Sequence, residues 1–498
     1  MRVAMFTDAM RKLGCCIKAC KPVRIGLAVL AVVLVVAFTG WYKLCREESQ
    51  TGLSSPEEWF KYGSIGAERT EGIPYWIWRI MPKMFPEYLP GPGGYAALGL
   101  PWEQGKDVPV GFSVKTVGVP RVAFNCAFCH TARYRTDPAG RPTLVPAGPS
   151  HTVNAQGYAR FIAAAANDAR FEGATMMAEI GKVYELPWLD KLIYRYVLIP
   201  GTKQALIKYG QSFGWTEEKP DWGPGRIDPF NPIKFGVLKM GTDDTIGNSD
   251  MPPLWHMKAR AKHALHWDGL NTDFHEVAVS SAIGDGMTYK TMDEDGLERI
   301  EEWLQDVPAP QSPYGIDKPA GSPYRIDAAR AADGKQVFEG QCAGCHAADG
   351  KRTGTVIPVT ETGTDRHRVD MWTAEAAKRY NAYQKEYNWG FKHFQDVDGY
   401  VAVLLDGIWL RGPYLHNGSV PSLRDLLKPP AERPAVFYRG YDLLDPVNVG
   451  FVSQGDVAAK TGFRFDTGVA GNGNGGHLYG TELPEEQKAA LLEYLKTL

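Results

Sequence analysis

The sequence predicts a mainly α-helical protein in which a single transmembrane helix precedes two loop-rich domains. Three observations predict this. Residues Ile25 to Tyr42 form one uncharged apolar stretch, IGLAVLAVVLVVAFTGWY. The motif Cys-x-x-Cys-His occurs twice, at 126–130 and at 342–346. Helical periodicity recurs around both motifs, whereas strand signals are few and short.

Composition sets the limits. The chain has 498 residues, with 55 basic and 57 acidic side chains and a formal charge of −2. On a prior of about 150 residues per domain this suggests about two to four domains. The charge balance excludes a general nucleic-acid binder, which needs a basic face against phosphates. A hydrophobic content of 44% with 22% charge excludes a disordered chain. The 54 glycines and 35 prolines exceed their usual combined share of about 12%. They predict many loops, and a core organised by something besides long regular elements.

Taking the elements in order, the apolar stretch comes first. Eighteen residues at about 1.5 Å each reach about 27 Å, enough to cross a hydrocarbon core. Trp41 and Tyr42 close it, where amphipathic rings favour the membrane interface. Arg2, Arg11, Lys12, Lys18, Lys21 and Arg24 precede it, so the positive-inside rule puts residues 1–24 in the cytoplasm and the rest outside. A cleaved signal peptide is the alternative, but its apolar region is shorter and needs a small-x-small cleavage site, and no clean Ala-x-Ala appears here. Both readings export the large domain. The expected location is the bacterial inner membrane, single-pass, with the bulk in the periplasm.

Residues 43–105 are rich in Pro, Gly and aromatics and read as a juxtamembrane wrap with little regular structure. The first motif domain then covers 106–310. In it, 154–180 reads as helical with Asn154 as cap, and 293–305 as an amphipathic helix with Leu297, Ile300 and Leu304 on one face. The proline-rich run 306–324 contains the linker, assigned to 311–324. The second motif domain, 325–498, opens with a helix over 327–341, has another over 373–389 and closes with one over 484–497.

The repeated motif carries the chemistry. In Cys126-Ala-Phe-Cys129-His130 and Cys342-Ala-Gly-Cys345-His346, two thiols are spaced to add across the vinyl groups of a haem. The adjacent His then binds the iron from below. An all-cysteine zinc site or two redox dithiols are the alternatives, and neither explains a His after both pairs. Two covalent haems c are therefore expected, as organisers of a loop-rich fold. Gly334 and Phe338 lie four apart on the helix before Cys342, where the terminal helix LLEYLKTL could cross. Of the other cysteines, Cys15, Cys16 and Cys20 read as free cytoplasmic thiols, and Cys45 stands alone on the outer side.

The chain resembles the bacterial di-haem cytochrome c peroxidase superfamily, nearest the branch that contains the di-haem rubber oxygenases. The residues that carry this are Asn125 to Thr131 (NCAFCHT), DMPPLW at 250–255, HWDG at 266–269, RGPYLHNGSVP at 411–421 and GNGNGGHLYG at 471–480. The resemblance spans residues 100–498. The retained anchor departs from the secreted oxygenases. What is implied is two cytochrome c-like haem domains. Electrons would be accepted from a periplasmic or membrane donor at the second haem and passed to the first, where a small oxidant, peroxide or oxygen, reacts. A pure electron-transfer cytochrome with both irons six-coordinate is one alternative, and an oxygenase of an apolar organic substrate another. Some relatives carry calcium between domains; the sequence does not establish it here.

The resemblance also implies site residues. His130 and His346 are the proximal ligands. His477, in the Gly-rich segment, is the expected distal ligand of the second haem, with His416 as its competitor and expected pocket hydrogen bonder. His151 is the candidate distal ligand of the first haem. Trp267 is the candidate electron relay between the haems, and Asp268 fixes the turn at Gly269. Arg133 and Arg411 are candidate partners of haem propionates. His256, His263, His266 and His275 cluster in sequence but lack the acidic partners of a metal site, and read as pocket, structural or surface residues.

Overall fold

The computed structural model describes residues 21–383 and 390–498. Cys15, Cys16, Cys20 and the end of the helix expected over 373–389 lie outside the described residues.

The apolar stretch forms one helix, Lys21–Leu44. Its segment Arg24–Leu44 is long and apolar enough to cross a membrane, and none of it is buried against the protein. The chain that leaves it is clamped at once. The Gly118 amide donates to the Arg46 carbonyl at 2.7 Å, and the Glu48 amide to that of Thr116 at 3.1 Å. Gly118 turns the hairpin between the strands Phe112–Val117 and Val119–Phe124 with φ +71°. A Cβ there would lie 2.5 Å from the Leu44 backbone, so only glycine lets the hairpin meet the helix end.

Residues 43–105 are more regular than their composition suggests. Ser55 caps the helix Pro56–Tyr62 by accepting from the Glu58 amide, and the helix Tyr75–Met84 follows. Phe60, Ile77, Trp78, Met81 and Phe85 are fully buried in the core of the first half. The aromatics that made this stretch read as a wrap are its buried face: Trp78 stacks on Tyr95 and donates from its indole to the Tyr158 hydroxyl. The expected helix over 154–180 is two, Ala155–Asn167, capped by the Asn154 side chain, and Gly173–Ile180. The helix Glu294–Asp306 buries Leu297, Ile300 and Leu304 as its spacing requires.

The structure is helix-rich but carries six small antiparallel sheets among the described residues. Their strands are two to six residues long, too short for alternation to stand out in sequence. The second core is built on the crossing of Ala328–Gln341 with Glu485–Leu495. A Cβ on Gly334 would lie 1.9 Å from the Ala490 carbonyl oxygen, and Phe338 packs on Tyr494 at 5.2 Å. The halves are joined by buried ion pairs. Asp442 holds Arg133 at 2.7 Å and Arg135 at 2.6 Å, and Arg439 holds Asp250 at 2.5 Å.

Candidate functional site

The first Cys-x-x-Cys-His motif sits on a short turn, Cys126–Phe128, at the end of the strand Val119–Phe124. Asn125 builds the turn: its side chain accepts from the Ala127 amide at 3.1 Å and donates to the Gly63 carbonyl at 2.9 Å. The His130 amide then donates to the Cys126 carbonyl. His130 Nδ1 lies 2.7 Å from the Pro252 carbonyl oxygen. A carbonyl only accepts, so Nδ1 carries the proton and Nε2 keeps its lone pair. Burial pushes the imidazole down to about 4, so it is neutral near pH 7. Burial likewise pushes the Cys126 thiol up to about 12 and that of Cys129 well above its usual value. Neither thiol is in a disulfide.

The second motif repeats this device on another scaffold. Cys342 ends the helix Ala328–Gln341, and Ala343–His346 forms one further turn. His346 Nδ1 lies 2.7 Å from the Val403 carbonyl, which again leaves Nε2 free. Orienting a ligating histidine through its other nitrogen is what a metal-binding imidazole requires.

Across from His346 stands His477. The two ring centroids are 6.3 Å apart, with planes at 40°. Two imidazoles on opposite sides of one metal ion, each nitrogen at about 2 Å, have centroids about 6 Å apart. Burial, and then the charge of His346, push His477 down to about 4. The segment around it is held from outside. Arg433 donates to the carbonyls of Asn474, Gly476 and His477, and Asn417 to those of Gly471 and Gly473. Gly476 (φ +73°) lies against Gly363, where a Cβ would come within 2.3 Å of backbone. His477 itself is left-handed, at φ +47°.

His416 is elsewhere. It stacks on Tyr400 at 3.9 Å, and its Nε2 lies 3.0 Å from the Tyr400 hydroxyl. That hydroxyl donates to the Asp365 carbonyl at 2.6 Å, so it accepts from His416. His416 is thus engaged by a tyrosine.

His151 stacks on Phe451 at 3.7 Å, and both of its ring nitrogens are buried without a partner. Burial pushes it down to about 3, and the charges acting on it are those of Asp442, Arg133 and Arg439. It lines a small cavity with Asp250, Trp267 and Arg411. His266 stands apart from its sequence neighbours. Its Nε2 is buried without a partner, and Phe230 packs edge-on at 5.2 Å. Burial, then the charges of Arg368 and His130, push it down to about 3. Like His477 it is left-handed, at φ +64°. Sequence reasoning grouped it with His256, which pairs with Asp406, and His275, which pairs with Glu301. The signal was its place in HWDG, where each following residue is tied down.

Trp267 donates from Nε1 to the Asp250 carbonyl at 2.6 Å, and its own carbonyl accepts from the Val401 amide. Asp268 forms a fully buried pair with Arg368 at 3.0 Å rather than only closing a turn. Arg133 is engaged by Asp442. Arg411 is buried against Asp406, lines the cavity with Trp267 and acts on His346.

The donor set therefore fits haem at both motifs: paired thiols, an oriented neutral imidazole, and a second buried imidazole nearby. No group of three or more His, Cys, Asp or Glu among the described residues could hold a bare metal ion. The class of protein follows. Residues 331–397 match the cytochrome c family, and 399–438 match the RoxA-like, cytochrome c-like family. This part of the chain is thus similar to cytochrome c domains, which hold covalently bound haem c. They are typically extracytoplasmic, and the N-terminal helix is apolar enough to be a signal or an anchor.

Two curated proteins of Sinorhizobium fredii (strain NBRC 101917 / NGR234) are similar to it. The uncharacterized protein y4iM is 29% identical over 253 residues, 44% of this chain and 52% of that protein. The uncharacterized protein y4iJ is 44% identical over 108 residues, 20% of this chain and 18% of that protein. The chain thus spans about half the length of one relative and under a fifth of the other.

Proposed function

We propose that this protein is a di-haem c-type cytochrome, anchored to the bacterial inner membrane and facing the periplasm. It takes electrons from a periplasmic or membrane donor at the second site and passes them to the first, where peroxide or oxygen reacts. The observation that carries the reading is the 6.3 Å separation of His346 and His477. Both histidines would hold one haem iron, whose chemistry at that site would be electron transfer.

Haem, when bound, supplies an iron that gains and loses one electron. The chain supplies the rest. Cys126 and Cys129 would hold one group and Cys342 and Cys345 the other, with His130 and His346 as their iron ligands. The carbonyls of Pro252 and Val403 fix both imidazoles in one tautomer. Trp267, hydrogen-bonded to Asp250 and beside the cavity shared with Arg411, is the relay. His266 is a buried imidazole whose Nε2 has no partner, and His151 lines the cavity beside Trp267.

A second reading, a plain electron-transfer cytochrome, is favoured by the same His266. Its buried, unpartnered Nε2 would give the first haem a second histidine ligand if it bound the iron, leaving electron transfer as the chemistry there. The RoxA-like match also brings an oxygenase of an apolar substrate. Haem content and electron paramagnetic resonance (EPR) test these readings together. The expected result is two haems per chain, one of them low-spin, with oxidation of the half-reduced protein by peroxide. Two low-spin haems inert to peroxide in both oxidised and half-reduced forms overturn the peroxide reading. Turnover of an apolar substrate with oxygen, in the absence of peroxide, favours the oxygenase.

A further inference from the structure

One face of the first half is apolar where a water-facing helix is polar. The helix Trp188–Ile193 runs on through Tyr194–Leu198 into the helix Ile199–Ser212. Its inner side buries Tyr194, Leu198, Ile199 and Leu206. On the outer side Trp188 is 74%, Leu192 47% and Tyr196 63% exposed. They recur every four residues and share one face. Val183 and Val197 are exposed as well. Large apolar side chains exposed along one helix face make a patch of the kind that marks an interaction surface.

Its position names the partner. Lys43, in the last turn of the apolar helix, pairs with Asp190 at 2.7 Å. Asp190 lies between Trp188 and Leu192. The helix end is also held by the Gly118 hairpin described above, so anchor and face keep a fixed relation. The patch therefore stands beside the end of the apolar span, where Trp41 and Tyr42 lie. It offers a Trp, a Tyr and an Arg, since the Arg195 guanidinium covers the Tyr196 ring at 5.3 Å. Trp and Tyr favour the headgroup region, and a basic group beside them favours anionic lipid.

We propose that the face of Trp188, Leu192 and Tyr196 rests in the headgroup region of the membrane that the N-terminal helix crosses. The occupant of the face is lipid, and the half that carries the first motif is seated on the bilayer rather than swinging from a tether. This rests on reading that helix as a retained anchor.

The full haem-loaded chain is reconstituted in liposomes of phosphatidylethanolamine and phosphatidylglycerol and footprinted with hydroxyl radicals, which requires no substitution. Trp188, Leu192 and Tyr196 are expected to be oxidised at least about fivefold less than their exposure predicts, judged against Ile316 and Val457, which are 62% and 54% exposed. Oxidation at the level of those controls overturns the proposal. A photoreactive benzoylphenylalanine at position 192 or 196 is expected to form lipid adducts. Adducts to a second chain, with protection and no lipid adduct, also overturn it. Carbonate extraction of native membranes tests the anchor separately. Release by carbonate refutes the anchor, whereas retention without protection refutes only the face.

Discussion

His346 and His477 face each other at 6.3 Å although they reach the site from different directions, one on a helical turn and the other on a glycine-rich loop. The loop is shaped from outside by Arg433, and the helical turn is oriented by the Val403 carbonyl. Each histidine is thus held in place by contacts within the chain.

Replacing His477 by Ala should convert one low-spin haem to high-spin, read by EPR and the visible spectrum, while both haems stay covalently attached. His416→Ala should leave that signal in place, because His416 is stacked on Tyr400. The reverse pattern would make His416 the ligand.

At the first site, His266→Ala should change the EPR signal or the cyanide affinity of the first haem, and His151→Ala should change either by less than about twofold. His266 Nε2 is buried without a partner, whereas His151 is stacked on Phe451. A larger effect from His151→Ala would restore it as the distal residue.

Arg433→Met should loosen the loop that carries His477. The guanidinium serves three carbonyls of that loop, and hydrogen bonds to charged groups contribute about 1.5–3 kcal/mol each. The expected signature is a larger high-spin fraction and binding of added imidazole. Arg433→Lys should not restore the parent spectrum, since an ammonium lacks the planar fork.

Gly334→Val should destabilise the second half by about 3 kcal/mol or more, because overpacking against backbone has no soft neighbour to yield. Even a Cβ would lie 1.9 Å from the Ala490 carbonyl. Thermal melting of the haem-loaded protein checks this. A melting temperature within a degree of the parent would mean that the helix crossing adjusts freely.

Much of this was legible in sequence for a local reason. Covalent haem attachment needs its thiols and proximal His within five residues, so the motif is contiguous and readable. The cap at Asn154 and the crossing at Gly334 are legible for the same reason, since each depends on a short pattern. The juxtamembrane stretch misled because aromatics and prolines mark loops in sequence, whereas here Trp78, Tyr95 and Phe85 fill a core. The short strands escaped because two to six residues carry too little alternation.

The sequence by itself determined the haem-attachment motifs, the apolar helix and the helix pair that frames the second motif. Only the tertiary structure decided that His477 stands across from His346. His477 lay in an expected loop, but His266 was hidden among histidines that pair with carboxylates. A distal ligand is chosen by where the chain returns in space, and that is set by Arg433, Asp250 and the buried Asp268–Arg368 pair. Those contacts join residues far apart in the chain, and no local pattern records them.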